Sequence, residues 1–171
     1  MLEDHEINGA LLLSKGVTAS NVGAAGLGPL ALHEMGVEDP EALRRLGYTA
    51  MHLTDAKIAS EASTAYGGRR VVEAFLVGAS DAVALAGSEA VSILGVEMED
   101  MLQACAGAPK EAGAVLEQMP QGVSLKGVSA RTLLDTGLRK GKLMEYGYSL
   151  AAVVKQTKAG PTELSKLGFG L

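Results

Sequence analysis

Apolar residues in this chain keep a fixed place relative to glycine. Four positions before most of the regularly spaced glycines stand Leu12, Val22, Leu32, Leu43, Ala74, Val83, Val123, Leu133, Leu143 and Leu164. One position after stand Val17, Leu27, Val37, Tyr48, Val128, Leu138, Tyr148 and Phe169. Gly67 breaks the pattern, with Ser63 before it and Gly68 after it, and Ser88 breaks it after Gly87. A helix closed by a left-handed residue makes this apolar contact, between its C3 and C″ positions. Glycine suits the closing position because an L-residue there costs roughly 1–2 kcal/mol. The pattern therefore predicts helix stops at Gly16, Gly26, Gly36, Gly47, Gly78, Gly127, Gly137, Gly147 and Gly168.

A polar position comes next. Thr18, Thr49, Ser80, Ser129 and Ser149 stand two residues after a glycine, and Asp39 is followed by Pro40. Side-chain oxygens there accept from the free N–H groups of a first turn, and proline suits the first helical position. The predicted unit is a cap, about two turns of helix of roughly 10 Å, a glycine, an apolar residue and a new cap. Helices this short are unstable alone and must pack on one another. The fold class expected is all-α: an array of short helices with Gly C-caps, solenoid-like or a compact helical repeat domain. A β-meander with glycine turns shares the spacing. ALHEM, EALRRL, ARTLLD, KLMEY and LAAVVKQ are instead rich in helix formers and lack strict alternation.

The expected organisation is one domain over 1–171. It comprises an arm at 1–9, a first array at 10–104, an irregular centre at 105–126 where the ten-residue frame fails, and a second array at 127–171. The repeats at GVTASNVGAA, GVSARTLLDT and GYSLAAVVKQ resemble the short Gly-punctuated helical repeats of protist and large-virus proteins, of the type G-(F/Y/V)-(S/T)-x-x-x-L. The resemblance implies a helical scaffold and carries over no catalytic residue.

Composition narrows the function. With 22 glycines in 171 residues, 47% hydrophobic content, 4% aromatic and no Trp, the core must be aliphatic and closely packed. A net charge of −5 argues against a dedicated nucleic-acid binder, which needs a basic face. The single cysteine, Cys105, precludes an intrachain disulfide and fits an intracellular, reducing compartment. MLEDHEINGALLL lacks the positive n-region of a secretory signal. Val71–Val96 carries three acids and three glycines, unlike a membrane span.

Candidate chemistry is sparse. His52 and Asp55 share a helix face at a spacing a general base or metal ligand could use, but no third group stands at a telling distance. Cys105 reads as a buried thiol. Glu97, Glu99 and Asp100 read as first-turn charges favoured by the helix dipole. No metal site and no cofactor are expected. Gly67-Gly68-Arg69-Arg70 opens a helix with free N–H groups and two guanidinia, a candidate anion site that lacks the Lys-Ser/Thr of a P-loop. Arg139, Lys140 and Lys142, with Lys126 and Arg131 nearby, form a candidate docking patch for an acidic partner or phosphate. Phe169 and Leu171 end the last repeat and are expected to pack on a partner, a second copy or the last helix. The expectation is a non-catalytic structural or adaptor subunit that binds another protein or itself. The alternative is an anion-binding protein or enzyme accessory subunit using the Gly67–Arg70 helix start.

Overall fold

The computed structural model describes residues 9–118 and 125–170. Residues 1–8 of the expected arm, 119–124 of the expected centre, and Leu171 lie outside the described residues. The chain is all-helical, and the described residues contain no strand. In order the helices are α1 (Gly9–Ser14), α2 (Ala19–Ala24), α3 (Pro29–Glu34), α4 (Pro40–Arg45), α5 (Ala50–Leu53), α6 (Ala56–Tyr66), α7 (Gly68–Phe75) and α8 (Ala79–Leu85). They continue as α9 (Ala90–Leu94), α10 (Met98–Ala104), α11 (Pro109–Gln118), α12 (Ala130–Asp135), α13 (Lys140–Glu145), α14 (Leu150–Thr157) and α15 (Pro161–Lys166).

The glycine stops have a consistent hydrogen-bond basis. Gly16, Gly26, Gly36, Gly47, Gly127, Gly137, Gly147 and Gly168 all have positive φ, from 70° to 102°. After most of them the next N–H donates back five residues: Val17 to Leu12, Leu27 to Val22, Val37 to Leu32, Tyr48 to Leu43, Tyr148 to Leu143 and Phe169 to Leu164, all at 2.8–3.1 Å. This is the six-to-one bond of a Schellman cap, and it draws the C″ residue over C3. At Gly137 the Leu138 N–H donates instead to the Thr136 hydroxyl, at 3.2 Å. Gly78 corrects the expectation. It is extended (φ −136°) and caps the start of α8. The Asp81 carboxylate three residues on accepts from the Gly78 N–H at 3.0 Å, so this glycine opens a helix. Ser80, expected as the cap, lies within α8.

The packing forms two compact units. One comprises residues up to Phe75 together with Ser88–Val96; the other comprises Leu76–Gly87 together with Glu97 onward. Within the first, α1 packs on α4, α3 on α6, α4 on α7 and α6 on α9. Within the second, α8 packs on α11 and α12 on α15. Helix k thus repeatedly meets helix k+3. Small residues allow this. Ala59 and Ala62 on α6 are fully buried, as are Ala82 on α8 and Ala112 on α11. At α7 a Cβ on Gly68 would lie 2.5 Å from the Leu94 carbonyl oxygen, closer than any side chain permits.

A second junction recurs. The first helical N–H of α2, on Ala19, donates to the Leu46 carbonyl that closes α4, at 2.6 Å. The first N–H of α13, on Lys140, donates to the Leu167 carbonyl that closes α15, at 2.8 Å. Each bond satisfies one orphan donor with one orphan acceptor and sets opposite dipole ends together. The two sets are copies. The starts of α1, α2, α3 and α4 recur in α12, α13, α14 and α15 at a constant offset of 121 residues. The exception inside the copy is α14. It runs two residues further than α3 and is closed by Lys158 at φ 57°, the one non-glycine with positive φ among the described residues.

Candidate functional site

The junction between α13 and α15 shapes the most functional-looking surface. Because the Lys140 N–H meets the Leu167 carbonyl, Arg139 at the start of α13 and Lys166 at the end of α15 are brought alongside each other. They line an open depression of about 350 Å³ with Arg131, Leu134 and Asp135 of α12. Arg131 pairs with Asp135 at 3.0 Å along its own helix, and the Arg139 guanidinium donates to the Leu138 carbonyl at 2.9 Å. Lys166 has no ion-pair partner among the described residues. Three cations face one carboxylate, so the depression is basic on an otherwise acidic chain.

The corresponding depression in the first unit is built on the same junction and has different chemistry. It is lined by Gly16–Ser20, Arg45–Gly47 and His52. Thr18 stands where Arg139 stands, and Arg45 is paired with Asp39 at 3.6 Å. The scaffold is shared, and only the later copy concentrates positive charge.

The expected docking patch is therefore partly redistributed. Arg139 lines the depression. Lys140 places its Nζ 5.9 Å from the centre of the Phe169 ring, and Lys142 is tied to Glu145 at 2.7 Å. Lys166 was not among the residues expected from sequence; the only signal for it was the recurrence of Arg45 at the end of α4. Phe169 is 3% exposed. Its N–H donates to the Leu164 carbonyl of α15 and its ring is buried, the last-helix alternative among the three expected packings. Leu171 lies outside the described residues.

Gly67–Arg70 spans the junction of α6 and α7. Gly67 ends α6 with φ 87°, its N–H donating to Ser63, and Gly68 to Arg70 are the first turn of α7. The close approach at Gly68 is to the Leu94 backbone, and Arg69 pairs with Glu73 at 3.2 Å. Arg70 is exposed.

His52 and Asp55 serve different helices. The His52 Nδ1 accepts from the Thr49 N–H at 3.0 Å, holding the start of α5. The Asp55 Oδ1 accepts from Lys57 and Ile58 N–H groups at 2.9 and 3.2 Å, starting α6. With Nδ1 occupied as an acceptor, His52 is a structural cap. Cys105 is buried, and burial with the nearby Glu111 charge pushes its thiol up to about 11. The acidic trio also divides. Asp100 accepts from the Glu97 N–H at 3.0 Å, closing its own helix start. Glu99 reaches α12, accepting from the Ser129 N–H at 3.1 Å and the Thr132 hydroxyl at 2.7 Å. No cluster of three or more His, Cys, Asp or Glu suited to a metal occurs among the described residues, and none of their helices is long and apolar enough to cross a membrane. Compared with protein-family models, with curated proteins and with solved structures, the chain finds no match.

Proposed function

We propose that this protein is a non-catalytic helical-repeat adaptor that binds an acidic segment of another protein. The single observation supporting this is the basic depression of Arg131, Arg139 and Lys166. It sits on a junction whose other copy has its arginine neutralised. Carboxylates or phosphorylated side chains suit guanidinia of fixed fork geometry, with Lys166 adding a mobile point charge. A helical array supplies the rest: short helices packed side by side that hold the junction in place.

The test uses a fluorescent oligo-glutamate peptide and the full chain. Binding should weaken as salt rises. It should weaken at least tenfold in Arg139→Glu/Lys166→Glu and be unchanged in Lys15→Glu/Lys57→Glu, an equal charge change at two exposed positions elsewhere. Equal affinity in all three proteins would remove the depression as the site. A phosphate-dependent rise in Tm lost in Arg69→Ala/Arg70→Ala would instead place the ligand at the α7 start.

A further inference from the structure

In the first unit, α3 carries α6 along one face, and three observations define that face. A Cβ at Gly28 would overlap the Glu61 carboxylate. The His33 ring meets Tyr66 edge-on at 5.2 Å between centres. The Tyr66 hydroxyl donates to the Val37 carbonyl at 2.8 Å. The face therefore runs through positions 28, 33 and 37. At the same offset that relates the two copies, these positions are Ser149, Val154 and Lys158 of the α14 segment.

All three are exposed. Leu150 and Val154, one turn apart, are each 38% exposed, while Val153 and Thr157 on the adjoining side are buried. α14 is thus seated on its own core by one side and presents an apolar pair on the side where α3 holds a helix. The flanking charge has also changed sign. Glu34 beside the α3 face is replaced by Lys155, and Val37 by Lys158. Neither lysine has an ion-pair partner among the described residues.

From this correspondence we infer that the Leu150–Val154 face of α14 is the seat of an amphipathic helix from a partner protein. That helix has small apolar residues at the spacing of Ala59, Ala62 and Tyr66, with acidic residues along its flanks. Small residues such as Ala59 and Ala62, both fully buried in α6, let a helix be packed closely, and the acids meet Lys155 and Lys158. The inference shares with the adaptor reading only the need for a protein partner. It rests on a different face and a different contact chemistry.

The probe is a synthetic peptide of residues 55–67, the α6 segment, with Lys57 replaced by Glu to make it acidic. It is titrated into the full chain carrying labelled Leu and Val methyl groups. The expected result is saturable shifts at Leu150 and Val154. Affinity should fall at least tenfold in Val154→Asp and in Leu150→Ser, both at exposed positions, and severalfold in Lys155→Glu/Lys158→Glu. Arg139→Glu/Lys166→Glu should bind this peptide normally, so loss of oligo-glutamate binding and loss of helix binding are read separately. No saturable shift at millimolar peptide, or unchanged affinity in both apolar variants, would overturn the inference. So would a wild-type dimer that Val154→Asp dissolves, since a second copy would then own the face.

Discussion

A glycine in this chain is legible by what flanks it, yet its cost of replacement depends on what it touches. Gly147 and Gly137 both have φ near 85–88°, but a Cβ on Gly147 meets open space whereas one on Gly137 would lie 3.4 Å from the Pro109 ring. Gly147→Ala should therefore cost about 1 kcal/mol from backbone strain alone. Gly137→Ala should cost about the same, because 3.4 Å is ordinary van der Waals contact, whereas Gly87→Ala (φ 75°) should cost more, its Cβ lying 3.1 Å from the Gln118 carbonyl oxygen; chemical denaturation of the three variants will show whether the order holds. Lys158 supplies the converse test. It pays for a left-handed conformation that glycine adopts freely, so Lys158→Gly should stabilise by roughly 0.5–1 kcal/mol, read as a rise in Tm. Tyr66 is buried, and burial with the Asp39 and Tyr48 charges raises its hydroxyl to about 12 from the usual 10. The folded state holds this proton more tightly than the unfolded one. Its contribution is thus complete below pH 10 and disappears as pH rises from 10 to 12. Tyr66→Phe should remove that part of the alkaline loss, which stability measurements across pH 9–12 would detect.

At the scale of the element, the caps separate what sequence shows from what it hides. Thr18, Asp39, Ser129 and Ser149 were expected as N-caps, and each accepts from an N–H three residues on, at 2.7–3.3 Å. A local rule suffices there because both partners lie within one turn. Glu99 shows the limit. Its place in the first turn of α10 suggests an interchangeable charge like Glu97, yet it binds α12 through Ser129 and Thr132, some 30 residues away. Hydrogen bonds to a charged group are worth about 1.5–3 kcal/mol. Glu99→Ala should therefore destabilise by about 2 kcal/mol, while Glu97→Ala should change little. Equal effects in urea unfolding would mean that Glu99 acts only through the helix dipole. Gly78 and Gly68 fail for the same reason. Each reads as part of a local glycine signal, while Asp81 decides the role of one and the Leu94 backbone that of the other.

At the scale of the molecule, the 121-residue offset between α1–α4 and α12–α15 gives function its comparison. Two copies with one architecture and different surface chemistry make the differences informative. One junction is neutralised and the other basic; one α3-type helix carries α6, with His33 still exposed beside Tyr66, and the other presents Leu150 and Val154. An array used only as a spacer would have no need of either difference. Charge reversal at Arg139 and Lys166 should therefore leave folding intact, since both side chains are exposed, and should act on binding alone. Circular dichroism and thermal unfolding of that double variant, beside its oligo-glutamate affinity, check both halves of the statement.

The sequence by itself determined the all-helical class, most of the helix ends and most of the caps. These follow from contacts within about six residues, where glycine conformation, side-chain capping and an apolar C3–C″ pair act on one another directly. Only the tertiary structure decided which helix lies on which. It also decided that Phe169 is core, that Lys166 joins Arg139, and that one face of α14 stays exposed. Those outcomes depend on bonds such as Lys140 to Leu167, formed between residues far apart in the chain. No local periodicity encodes which distant carbonyl an orphan N–H will find.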